Sequence, residues 1–158
     1  HHETGATLPR DLLDKMLDAK NVNVGLNMAR QIYLSTLDLE IHGTNPPTTA
    51  EGLQALVDRL RPEISLIENP AGANMLRSFG HLMNQYSAAY YGYLWAEVLS
   101  ADMFAQCFEK DPFDAKAGKR YRDLVLAPGG VGKILDHLTT FLGRPPSQEA
   151  FLKSRGIA

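Results

Sequence analysis

The residues best suited to chemistry lie in one run, Ser78–Phe108, SFGHLMNQYSAAYYGYLWAEVLSADMFAQCF. Within it Tyr86, Tyr90 and Tyr93 fall at i, i+4 and i+7, so a helix beginning near Tyr86 would point their phenols the same way. His81 precedes them in the turn-prone entry Phe79-Gly80-His81. An imidazole and several phenols converging on a substrate could donate hydrogen bonds to a developing oxyanion. Tyrosines at this spacing can equally pack their rings in a core and send the hydroxyls to solvent or a carbonyl. Spacing alone favours the packed stripe, and composition does not decide between the two.

The other candidates are weaker. The five histidines are His1, His2, His42, His81 and His137. A helical zinc motif needs two His one turn apart with a Glu beside the first. His2-Glu3 begins that pattern, but position 6 is Ala6. Asp38 and His42, at i and i+4, could share a metal; a surface hydrogen bond near a helix C-terminus, where a cationic His is favoured, is the more ordinary reading. No metal site is complete, and the chain alone is expected to bind no zinc. Gly129-Gly130-Val131-Gly132-Lys133 has the look of a phosphate loop, yet Ala127 and Ile134 occupy the positions that need Gly and Ser or Thr. Helix termination explains the glycines better. Cys107, the only cysteine, lies beside Phe104 and Phe108 and reads as a buried, inert thiol, because a reactive thiolate wants polar, cationic surroundings.

A chain of 158 residues, 44% hydrophobic, can bury a core as one domain. The net charge of −2 and the absence of a basic block argue against a nucleic-acid surface. A single cysteine excludes an internal disulfide framework and fits a reducing compartment. No apolar run is long enough to span a bilayer, and no signal peptide opens the chain. The first residue is not Met, so the expectation is a chain that is processed, tagged or part of something longer.

The elements that must position these residues read as helices. Pro9-Arg10-Asp11 opens the first, with an apolar stripe of Leu12, Leu13, Met16 and Leu17. Asn21–Asn23 breaks it. Val24–His42 forms a second, apolar on several sides, which predicts burial between neighbours. Gly43-Thr44-Asn45-Pro46-Pro47 stops it. Thr48 or Thr49 starts a third, to about Arg61, with Pro62 ending it. Glu63–Ile67 alternates and is the one plausible strand. A long central helix runs from Ala88, with Tyr90, Leu94, Glu97/Val98, Ala101, Phe104/Ala105 and Phe108 at helical steps, and stops at Lys110-Asp111-Pro112. Asp114 caps a helix to about Leu126; Lys133–Leu142 and Ser147–Ser154 form two more. The expected fold is a single all-α domain, residues 1–158, with at most one short strand.

The run SFGHLMNQYSAAYYGYLWAEVLSADMF closely resembles the segment F-G-H-L-x-x-x-Y-x-A-x-Y-Y-x-Y-L-W-[SA]-E-V-x-S-x-D-M-F of the thimet oligopeptidase, neurolysin and oligopeptidase A family of zinc peptidases. HHETGATLPRDLLDKML is similar to that family's H-Y-x-T-G-x-x-[IL]-P opening, which assigns His1-His2 to the natural chain rather than to an affinity tag. NVGLNMARQIYLSTLDLEIH resembles its N-x-G-x-x-x-x-R-Q-x-x-x-x-x-x-D-x-x-[IL]-H helix. YRDLVLAPGG and FLGRPPSQEAFLKSRGI are similar to its C-terminal region, so the likeness covers nearly the whole chain in order.

The resemblance implies the C-terminal part of the catalytic domain of a larger oligopeptidase, with the H-E-x-x-H helix and the third zinc ligand, a Glu, upstream of this chain. It further implies that His81, Tyr86, Tyr90 and Tyr93 line a channel for short peptide substrates opposite the zinc. Tyr93 matches the residue that hydrogen-bonds the oxyanion of the tetrahedral intermediate; His81 and Tyr86 match residues that contact the substrate backbone, His81 counting also among the catalytic groups. One departure stands out: Asn84-Gln85 replaces two glycines that many family members carry, and a Cβ restricts backbone choice there. The expectations are thus a zinc-dependent hydrolase in the parent, inactivity of this piece alone, and self-association through exposed apolar surface. No nucleic acid or membrane is expected as a partner, and the expected compartment is cytoplasmic, with the mitochondrion as the alternative. The competing reading is a non-catalytic helical module that binds peptides without zinc.

Overall fold

A computed structural model describes residues 1–157, and among them the secondary structure is helical, with no strand. The all-α expectation holds. Seven α-helices follow in chain order: α1 Arg10–Ala19, α2 Val24–Ile41, α3 Ala50–Ser65, α4 Gly92–Cys107, α5 Ala115–Tyr121, α6 Ile134–Leu142 and α7 Glu149–Ser154. They group into two compact units, His1–Tyr90 and the residues from Tyr91 onward.

In the first unit α2 and α3 pack on each other. Both use the same pattern, i, i+1 and i+4: Tyr33, Leu34 and Leu37 from α2 meet Leu56, Val57 and Leu60 from α3, and Phe79 and Tyr90 complete the cluster. Leu37 and Val57 are fully buried. The left-handed Asn23 (φ 59°) separates α1 from α2, where the Asn-rich break was expected. Thr49 caps α3, its Oγ1 accepting from the Gly52 amide at 3.1 Å. The apolar stripe of α1 forms on a helix, but Leu12, Met16 and Leu17 face solvent.

Two expectations fail in α3. Pro62 does not end the helix, and Glu63–Ile67 is not a strand: the helix runs through Pro62 to Ser65. Proline inside a helix costs about 3 kcal/mol by removing an N–H and crowding the preceding turn. The core supplies the compensation. Leu56, Leu60 and Ile64 step by four along the face that meets α2, and Ile64 packs against the cluster only if the helix continues. Polar side chains secure the turn around the proline. Ser65 Oγ donates to the Arg61 carbonyl (2.6 Å), Arg61 Nη1 to Asn69 Oδ1 (2.7 Å) and Asn69 Nδ2 to Asp58 Oδ1 (2.8 Å). A lone five-residue strand would have had no neighbour for its amides and carbonyls.

In the second unit α4 packs on α6 and α7. Of the stripe expected from spacing, Leu94, Val98, Ala101 and Ala105 are half-buried on α4 and Phe108 is half-buried at its C-cap, whereas Glu97 and Phe104 are exposed and Tyr90 lies before the helix. Asp114 caps α5, Oδ1 accepting from the Lys116 and Ala117 amides at 2.8 and 3.3 Å. The helix expected to reach Leu126 does so, with its last turn, Arg122–Leu126, widened to π geometry. The glycines after it make a turn rather than a phosphate cradle. Gly129 and Gly132 take positive φ, and a His137 ring nitrogen lies 2.8 Å from the Val131 carbonyl oxygen. Gly143, left-handed at φ 75°, ends α6 and donates to the Thr139 carbonyl. Phe108, Tyr121 and Phe141 form an aromatic cluster with centroids 5.8–6.4 Å apart.

Candidate functional site

The tyrosine run is not one continuous helix. α4 begins at Gly92, so Tyr86 and Tyr90 precede it and the i, i+4, i+7 alignment with Tyr93 is not formed. A contact made 52 positions away in the sequence supplies the reason. Asp38 Oδ2 accepts the Tyr90 amide at 2.9 Å, and Ala89 just before it takes a left-handed backbone, φ 67°. An N–H committed to a carboxylate, next to a left-handed residue, cannot continue a helical ladder.

Phe79, His81 and Tyr90 gather into one aromatic group. The Tyr90 ring meets Phe79 edge-on at 5.3 Å and His81 at 5.0 Å, with Phe79 and His81 5.6 Å apart. Tyr90 is 9% exposed and belongs to the core, whereas His81 is half-buried at its edge. A 3₁₀ turn, Gly80–Met83, carries His81. Asn84 then closes the entry with its side chain, Oδ1 accepting from the Tyr86 amide at 2.9 Å. Asn84 thus pins a turn where glycine would leave the backbone free. Tyr86 is 67% exposed, and Tyr93, in the first turn of α4 in the second unit, is 50% exposed. The fold therefore brings His81 and Tyr90 into contact, sets Tyr86 on the surface of the same segment, and presents Tyr93 from α4.

Three residues that periodicity passed over turn out to be central. Asp38, read from sequence as half of a surface pair with His42, is buried at 2% exposure; His42 Nδ1 lies 3.2 Å from its Oδ1 and 2.9 Å from its carbonyl oxygen. The available signal was an acid on an otherwise apolar face, between Leu34, Leu37 and Ile41. Asp102, also 2% exposed, accepts from Arg144 Nη2 at 2.6 Å and Nη1 at 2.8 Å, and from the Ser147 amide at 2.7 Å. The Arg144 hydrogen bonds hold its carboxyl below the ordinary range against the opposing effect of burial, with the Ser147 amide assisting. Arg144 is pushed up in turn by the same hydrogen bonds. Arg155 adds a second tie in this unit, Nη2 to Glu97 Oε2 at 2.5 Å. Cys107 is half-buried, and burial pushes its thiol up, away from the thiolate form.

Among the described residues no three His, Cys, Asp or Glu side chains gather within reach of a common metal. His2 and Glu3 lie at the surface, 3.7 Å apart. Among the described residues no helix is long and apolar enough to cross a membrane.

The chain is 44% identical to saccharolysin of Saccharomyces cerevisiae over 166 aligned positions, covering 99% of this chain and 22% of that protein. It is 34% identical to oligopeptidase A of Escherichia coli (99% and 23%) and 38% identical to a thimet-like oligopeptidase of Dictyostelium discoideum (95% and 22%). The chain thus spans less than a quarter of the length of these relatives. The model of peptidase family M3 matches residues 1–157, and the chain belongs to that family.

Proposed function

We propose that this chain forms the substrate-facing part of a zinc-dependent oligopeptidase that hydrolyses short peptides, and that it is inactive by itself. The observation that carries the proposal is the run Phe79–Phe104, which matches the family pattern at His81, Tyr86, Tyr90 and Tyr93, in a chain that belongs to peptidase family M3. The metal belongs, on this reading, to the remainder of a longer polypeptide, and the cytoplasm is its proposed compartment. Exposed apolar side chains of α2, Leu26, Ile32 and Leu39, would lead the isolated piece to self-associate.

Within this scheme Tyr93 is the oxyanion stabiliser. Its phenol O–H donates to the former carbonyl oxygen as negative charge develops there, an interaction stronger in the transition state than with bound peptide. Half-exposure on the first turn of α4 leaves its ring accessible to a peptide. His81, Tyr86 and Tyr90 line the peptide channel, with His81 and Tyr86 contacting the peptide backbone, and the Tyr90 ring also meets His81 from the core side.

Tyr93→Phe in the full-length polypeptide is the decisive test. It removes one oxygen and keeps the ring. Loss of an oxyanion donor lowers kcat by about a hundredfold or more with little change in KM. Tyr90→Phe should cost less, shared between kcat and KM, and His81→Ala should affect both. An unchanged kcat in a Tyr93→Phe protein of unchanged Tm overturns the assignment.

A further inference from the structure

A buried carboxylate is costly unless hydrogen-bonded, and its partners therefore show what it is kept for. Asp38 divides its bonds between its own helix end, at His42, and one distant group, the backbone amide of Tyr90. That amide follows the left-handed Ala89, a conformation that residues with a Cβ avoid and that persists only where the surroundings over-determine it. The Tyr90 ring meets His81 edge-on at 5.0 Å.

We infer that Asp38 is a positioning residue for the peptide-facing segment: by accepting the Tyr90 amide it locks the turn at Ala89 and thereby fixes the His81–Tyr90 ring pair. The inference rests on the reading that His81 faces the substrate. Asp38 touches neither substrate nor reacting atoms in this scheme. Without its carboxylate the Tyr90 amide has lost its acceptor, Ala89 is free to leave the left-handed region, and the Tyr90 ring turns with its peptide. His81 then loses the edge contact that orients it. Orientation errors of this kind reduce turnover even when the groups themselves are intact.

Two substitutions separate positioning from bulk stability. Asp38→Leu makes the position apolar, like its neighbours Leu34, Leu37 and Ile41, and removes the acceptor. Asp38→Asn keeps one acceptor oxygen and removes the charge. Both are made in the full-length polypeptide that carries this chain. Hydrogen exchange at the Tyr90 amide is measured beside cleavage of a quenched fluorescent peptide. Asp38→Leu should speed exchange of that amide about tenfold or more, as expected for loss of local protection. It should lower kcat/KM by about tenfold or more, and Asp38→Asn should restore both most of the way. Equal exchange in wild type and Asp38→Leu overturns the inference, whatever the cleavage rates. So does faster exchange with unchanged kcat/KM, provided His81→Ala impairs cleavage. If His81→Ala cleaves like wild type, it is the peptide-facing reading that fails, and the inference with it. Should Asp38→Leu not fold, Asp38→Asn alone decides: Tyr90 exchange and kcat/KM near wild type support an acceptor role, and a full loss of activity with Tyr90 still protected overturns it.

Discussion

Replacing Arg144 by Ala should unfasten the segment Gly143-Arg144-Pro145-Pro146 from α4, and the size of the effect follows from its contacts. The guanidinium gives Asp102 two hydrogen bonds, at 2.6 and 2.8 Å, and the Ser147 amide gives a third at 2.7 Å. Removing one member of a buried pair costs about 3–5 kcal/mol, because the other charge is left without compensation. Here Asp102 is buried but the Arg144 side chain is 40% exposed, and the Ser147 amide stays in place. Solvent screening at the open side brings the expectation to about 2–3 kcal/mol. The loss should depend on pH with a defined sign. The folded carboxyl of Asp102 lies below its ordinary value, chiefly through the Arg144 hydrogen bonds. Its stabilising contribution is therefore complete above the unfolded carboxyl pKa of about 3.9 and disappears as pH falls through the lowered folded value. The gap between wild type and Arg144→Ala should be widest near neutral pH and close in acid. Urea unfolding followed by the fluorescence of Trp95, the only Trp and on the same helix as Asp102, measures it directly. A gap below about 1 kcal/mol, or one that stays constant into acid, would refute the clasp.

Tyr33 sits in the first-unit core at 4% exposure, its hydroxyl without a hydrogen-bond partner and its pKa pushed up by burial. Tyr33→Phe should leave thermal stability unchanged or raise it by about 1 kcal/mol, since a buried unsatisfied hydroxyl costs at least that much; a clear fall in Tm would reveal a partner for the oxygen. The isolated chain, dialysed and subjected to metal analysis, should hold far less than one zinc per molecule, and it should sediment as more than a monomer when concentrated. A tightly held stoichiometric zinc would mean that these residues assemble a site after all.

Local signals carried most of the helix boundaries. Thr49 and Asp114 cap α3 and α5 through their own side chains, and each needs only the next three residues to do so. Pro62 misled because its local preference to end a helix was outweighed by the four-residue step Leu56, Leu60, Ile64, which has meaning only once α2 lies opposite. The tyrosine run misled in a similar way. Its helical spacing is real, but the Tyr90 amide is taken by the Asp38 carboxylate on α2, and nothing near Tyr90 in sequence announces it. Asp102 and Arg144 are 42 positions apart, beyond the reach of any periodicity. For the candidate site, the motif picks out His81, Tyr86, Tyr90 and Tyr93. The edge-on contact of two of them, and the carboxylate beneath, emerge only from packing.

The lone thiol offers a use unrelated to peptide cleavage. Cys107 ends α4 half-buried, its thiol pushed up by burial, so alkylating reagents, which consume the thiolate, should react faster whenever that helix end loosens. With no second cysteine in the chain to compete, the labelling rate becomes a clock for breathing of the second unit. It can be read in native buffer, with His81 and all six tyrosines left as they are.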